Sequence, residues 1–159
     1  MDIVLDSSSI INLINGEVFY SIFSLKNFYF KIGPLVKEEC EKHNELDDAI
    51  AKELLELLPD VSLQQFKLLK GKYNLGDGET ECIINCMNNF SFYLSCDDSK
   101  ARRDAAKEVS EERVKGTLFL LREMRIQNLL DCDGTIDRLQ LMKSKGGFLP
   151  NKGKAYFCK

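Results

Sequence analysis

Ile3-Val4-Leu5-Asp6-Ser7-Ser8-Ser9-Ile10-Ile11 opens the chain. Three apolar residues, two of them β-branched, make a short strand, and the hydrophilic run Asp6 to Ser9 ends it. Ile10 to Leu13 then begins a helical stretch. The same grammar returns at Phe92-Tyr93-Leu94-Ser95, which Cys96-Asp97-Asp98 closes before a helix over Ser99 to Glu108. Two strands thus end in aspartate, each followed by a helix.

Between them, Phe28-Tyr29-Phe30 is a second strand candidate, and Gly33-Pro34 breaks it ahead of a helix over Val36 to His43. Residues Glu45 to Leu58 read as one helix, with Leu46, Ile50, Leu54 and Leu57 or Leu58 on one face and Pro59 as the stop. Val61 to Leu69 fits a short strand or a helix. Gly76-Asp77-Gly78 is a turn ahead of a helix over Glu79 to Asn88. A short strand or turn near Val114 leads into a helix that reaches Met124, and Ile136 to Met142 is the last helix. Strands alternating with helices predict an α/β fold with a mainly parallel sheet, here one domain over residues 1–159.

Composition excludes several classes. At 44% hydrophobic and 30% charged residues the chain is globular and neither disordered nor fibrous. No apolar run is long enough to span a bilayer, and Met1 to Asp6 lacks the basic and apolar regions of a signal peptide. A cytoplasmic protein is expected. The formal charge of −3 leaves any contact with a phosphate backbone to local patches. The cysteines at 40, 82, 86, 96, 132 and 158 contain no CxxC pair, and the single histidine, His43, is remote. They read as small buried hydrophobes in a reducing compartment, not as zinc ligands.

In a parallel sheet, ligands bind at the carboxyl ends of the strands. Asp6, Asp97 and Asp98 fall on that edge, and Glu79 starts a helix after a glycine turn. Glu39, or its neighbour Glu38, lies early in another. Clustered carboxylates raise one another's pKa, and a divalent cation relieves the conflict. Magnesium takes oxygen ligands and is often completed by substrate phosphate, a combination suited to hydrolysis of a phosphodiester. Each acid also has a simpler reading: Asp98 as a helix N-cap, Glu79 as a partner of the helix dipole, Glu38 and Glu39 as a solvated face.

These segments resemble the PIN-domain family, in its DUF3368-type branch. The resemblance is carried by Leu5 to Ile11, by Leu75-Gly76-Asp77-Gly78-Glu79-Thr80-Glu81-Cys82-Ile83, and by Cys96-Asp97-Asp98-Ser99-Lys100-Ala101-Arg102-Arg103-Asp104-Ala105. Val114-Lys115-Gly116-Thr117-Leu118 and Gly147-Phe148-Leu149 extend it to nearly the whole chain. Cys96 departs from it, standing where the family usually has Thr or a small apolar residue. The resemblance implies a three-layer α/β/α sandwich, Mg2+ or Mn2+, and endoribonuclease chemistry, with Asp6, Glu39, Glu79 and Asp97 as the catalytic set and Asp98 as a second or shared metal ligand. Ser8 matches a hydroxyl that hydrogen-bonds within the acidic site. Lys100, Arg102, Arg103 and Lys107 make a candidate phosphate patch, in which Arg102 either touches phosphate or holds an acid. Proteins similar to this one include toxin ribonucleases, so a small antitoxin and a homodimer are among the partners that the resemblance implies.

Three rivals stand beside this reading. Asp131-Cys132-Asp133-Gly134-Thr135 looks like the first motif of haloacid-dehalogenase phosphatases, but too little chain follows it to carry the later motifs. A loop in which Asp133 or Thr135 caps the next helix explains it better. An EF-hand fails for want of the closing Glu. A non-catalytic binding module of the same fold is the third.

Overall fold

The opening apolar run forms β1 (Asp2–Leu5). In the computed structural model of the protein, which describes residues 1–158, it is the middle strand of a five-stranded sheet. The others are β2 (Tyr29–Ile32), β3 (Leu55–Leu57), β4 (Phe92–Ser95) and β5 (Val114–Lys115), in the order β3-β2-β1-β4-β5. Every pairing is parallel. Ile3, Val4 and Leu5 are fully buried, as a central strand covered on both faces requires.

Nine α-helices are described: α1 (Ser7–Asn15), α2 (Pro34–Glu39), α3 (Asn44–Ala51), α4 (Leu63–Tyr73), α5 (Asp77–Asn88), α6 (Ser99–Val109), α7 (Thr117–Ile126), α8 (Cys132–Ser144) and α9 (Lys154–Phe157). They flank the sheet in two groups. α5 packs on β1 and β4 and touches α2, α4 and α6, while α1 packs with α7 and α8, which hold α9. This is the three-layer α/β/α arrangement that the family resemblance implies, built on the parallel sheet that the alternation of strands and helices predicts. The chain leaves β1 toward β2 on one side and reaches β4 on the other, so the strand order reverses at β1. The carboxyl ends of β1 and β4 flank that switch point, where a crevice forms in open α/β sheets.

The structure departs from the sequence reading at several places. The helix expected over Glu45 to Leu58 stops at Ala51; Glu53 turns left-handed with φ 57°, and Leu55–Leu57 becomes the edge strand β3. Leu54 and Leu57 are 40% and 43% exposed, so their helical spacing never lined a buried stripe. The free edge of β2 supplied backbone partners that a local pattern does not reveal. The ambiguous Val61 to Leu69 is helical, starting at a Ser62 cap and ending at a left-handed Asn74. The last long helix begins at Cys132, not Ile136, and its cap is Asp131, which accepts from Gly134 N at 2.6 Å. Neither Asp133, paired with Lys154 at 2.6 Å, nor Thr135 provides that cap.

The cysteines also divide. Cys40, Cys82, Cys86 and Cys96 are free and buried, as small hydrophobes are. Cys132 and Cys158 instead form a disulfide, with their Cα atoms 5.7 Å apart. The fold makes this pair by returning the C-terminal helix to the start of α8.

Candidate active site

Asp6 follows β1 directly and caps α1. Its Oδ2 accepts the Ser8 hydroxyl at 2.7 Å, the Ser8 amide at 3.3 Å and the Cys96 thiol at 3.4 Å. The residue is 1% exposed, and its Oδ1 has no hydrogen-bond partner. Burial raises its pKa, and the Ser8 and Cys96 hydrogen bonds offset that only in part. An unpartnered carboxylate oxygen in the interior is costly unless something fills its place.

Ser8 joins the two strand ends. While its hydroxyl donates to Asp6, its oxygen accepts Asp97 N at 3.0 Å. From there the adjacent aspartates diverge. Asp97 turns inward: Oδ1 accepts Thr117 N at 2.8 Å, and Oδ2 accepts Asn12 Nδ2 at 2.8 Å together with the Thr117 hydroxyl. Gly116 permits this, because a Cβ there would lie 2.7 Å from Asp97 Oδ1. Asp98 caps α6 through Oδ1, which accepts Ala101 N at 2.8 Å, and its exposed side chain keeps Oδ2 open.

The two glutamates come from α2 and α5. Pro34, preset for a first helical turn, starts α2. Its last residue, Glu39, accepts Gly78 N at 2.9 Å; Glu38, likewise exposed, lies beside Lys37 and His43 with no such partner among the described residues. Glu79 reaches back to Gly76 N at 2.9 Å, which secures the first turn of α5. Burial is the main cause of its raised pKa, and the carboxylates of Asp6, Asp98 and Glu39 push it further. Those four acids therefore share one electrostatic neighbourhood. Asp97, close in sequence, faces its own hydrogen-bond set.

Oxygen donors of this kind suit a hard divalent cation, and the orphaned Asp6 Oδ1 has no other partner. Among the described residues, no three acidic, histidine or cysteine side chains already stand in one coordination shell. Glu39, Glu79 and Asp98 are each held by one backbone amide with a second oxygen left over.

The expected phosphate patch takes a different form. Lys100 reaches the Tyr73 carbonyl at 2.7 Å and Asp104 at 3.1 Å, and Lys107 also pairs with Asp104 at 3.1 Å. Arg102 donates to the carbonyls of Cys96 and Lys115, pinning β4 to β5. Its guanidinium holds backbone carbonyls and pairs with no carboxylate among the described residues. Of the four, only Arg103 has neither a hydrogen-bond nor an ion-pair partner for its side chain among the described residues.

Three residues of the site escaped the sequence reading. Asn12 and Thr117 hold Asp97; Asn12 stands one helical turn beyond Ser8, and Thr117 lies within a quoted motif, so both had a signal. Glu81 is buried on α5, and its carboxylate accepts Leu35 N and Val36 N at 3.1–3.2 Å, capping α2. Burial outweighs those hydrogen bonds and raises its pKa. Like Thr117, Glu81 lies within a quoted motif, two residues past Glu79.

A parallel α/β/α sandwich with acids gathered at its switch point is the arrangement of PIN-type proteins, which are generally nucleases. The model of the PIN-domain family DUF3368 matches residues 2–155, and the chain belongs to that family. No curated protein and no solved structure matches it. No helix among the described residues is long and apolar enough to cross a membrane.

Proposed function

We propose that the protein is a metal-dependent endoribonuclease whose ion, Mg2+ or Mn2+, is held by Asp6, Glu79 and Asp98. The observation that carries this reading is Asp6 Oδ1: a buried carboxylate oxygen without a partner, at the switch point, among three further acids. When bound, the ion supplies charge neutralisation for the carboxylates and for the phosphate oxygens in an in-line displacement. Glu39, anchored through Oε1 to Gly78 N, takes the proton of the attacking water on its second oxygen. Water oxygen bonds to phosphorus, one P–O ester bond breaks, and the leaving oxygen gains a proton from solvent. Asp97 is a positioning residue in this scheme; it fixes the β4 end against α1 and α7.

Incubation of the protein with mixed RNA and Mn2+, with chelator and Asp6→Asn as controls, tests the proposal. Cleavage that needs the ion and is lost in Asp6→Asn is expected, with a rise in melting temperature on adding Mn2+ to wild type only. Cleavage that survives Asp6→Asn overturns the assignment.

A further inference from the structure

Next to Asp97 the carboxyl edge of β5 opens into a cleft of about 680 Å3. Phe119 and Arg122 of α7 form one wall, and Phe148 and Tyr156 of the C-terminal segment form the other. Rings and cations alternate along it. The Lys115 ammonium lies 5.3 Å from the centre of the Phe119 ring. Tyr156 is flanked by the Arg122 guanidinium at 5.6 Å and the Lys152 ammonium at 5.3 Å.

Two features mark this cleft as built for a ligand. Among the described residues, none of Lys115, Arg122 and Lys152 pairs with a carboxylate, in contrast to Lys100 and Lys107 on α6. The only acid lining the cleft is Asp97, whose oxygens are already engaged. Phe148 is 97% exposed at the rim, a large ring left in water with nothing to cover it.

We infer that this cleft binds single-stranded RNA and leads the strand to the acidic site. Cations without a carboxylate partner hold phosphates, and the uncovered Phe148 ring stacks a base that is not already stacked in a duplex. A double helix offers only its backbone here, and an acidic polypeptide has no use for the rings. The cleft thereby supplies the local positive patch that the overall charge of −3 does not. The inference rests on the nuclease reading for the direction of the strand, and not for its binding.

The test is anisotropy of a short fluorescein-labelled oligouridylate with the full chain in EDTA, where no ion-dependent cleavage occurs. Arg122→Glu is expected to weaken binding about tenfold and Phe148→Ala about fivefold, the size of one lost phosphate or stacking contact. Tyr156→Phe keeps the ring and the affinity. Lys67→Glu, on the exposed face of α4, leaves affinity unchanged. A duplex of equal length binds more weakly.

Absence of binding, wild-type affinity in both Arg122→Glu and Phe148→Ala, or equal affinity for the duplex overturns the inference. Competition by polyglutamate as strong as by unlabelled oligonucleotide also overturns it, and assigns the cleft to an acidic polypeptide. The two readings fail separately. Binding without Mn2+-dependent cleavage removes the nuclease and keeps the cleft. Cleavage with unchanged KM in both variants removes the cleft and keeps the nuclease.

Discussion

Glu39 at the end of α2 accepts the amide of Gly78 in α5, and a Cβ on Gly78 would stand 2.5 Å from Glu39 Oε2. Gly78 has no left-handed φ, so alanine suits its backbone, and in a helix it gains up to about 1 kcal/mol over glycine. The carboxylate is the part that must move. Gly78→Ala is therefore expected to keep or raise the melting temperature while lowering RNA cleavage about 10–100-fold. Calorimetry and cleavage rates on the same sample check this. A variant with wild-type cleavage shows that Glu39 has no part in the reaction.

The two helices brace each other, since α5 returns Glu81 to the first amides of α2. Glu81→Ala leaves those buried donors unpaired and is expected to cost about 2–4 kcal/mol in urea unfolding. Glu81→Gln should lie between, because it retains one acceptor oxygen. Equal stability of Glu81→Ala and wild type refutes the bracing role.

Asp6 contributes a pH dependence of known sign. Its folded-state pKa lies above the ordinary carboxyl value of 3.8. Between the two values the folded chain holds a proton that the unfolded chain has released. Stability of the metal-free protein then falls as pH rises through that window, and the loss is complete above the folded value. Asp6→Asn carries no such charge. In chelator at pH 7 it is expected to melt higher than wild type, with a flatter profile above pH 4. Urea titrations across pH measure this, and a lower melting temperature for Asp6→Asn at pH 7 contradicts it.

Asp97 and Asp98 are separable by mutation. Asparagine is as good an N-cap as aspartate, so Asp98→Asn keeps α6 and the fold. Its expected effect is loss of Mn2+-dependent cleavage with unchanged thermal stability. Thr117→Val removes one of the hydrogen bonds on Asp97 and should lower cleavage about tenfold, without affecting the Mn2+-induced rise in melting temperature. Full activity in Asp98→Asn shows that the residue only caps.

The Cys132–Cys158 disulfide closes a loop of 26 residues, worth about 3.5 kcal/mol by the loop-entropy relation. Unfolding midpoints with and without a phosphine reductant measure that loss. Burial pushes the Cys40 and Cys86 thiols up to about 12 and raises those of Cys82 and Cys96 as well. Maleimide is therefore expected to label only Cys132 and Cys158 in the reduced native protein, and all six cysteines in denaturant. Rapid native labelling at Cys82 contradicts the burial on which this rests.

Much of the scaffold was already legible in short stretches of chain. An apolar run that ends in Asp6, another that ends in Asp97-Asp98, and the Gly-Asp-Gly-Glu start of α5 are local patterns. Strand, cap and helix follow from neighbours within a few residues, so their order gave the parallel sheet and the edge where its acids lie. Tertiary structure alone decided which partners each acid holds. Asp97 and Asp98 are adjacent, yet the partners that hold Asp97 lie 20 and 85 residues away, at Thr117 and Asn12. Glu39 is distinguished from Glu38 by an amide 39 residues on. β3 formed where local spacing read as helix, because the open edge of β2 offered it hydrogen bonds. Asp104 pairs with two cations of the expected phosphate patch, Lys100 and Lys107, and the C-terminal return that pairs Cys132 with Cys158 also brings Tyr156 beside Arg122. A sequence states which charges are present; only the folded chain determines which of them remain unpaired.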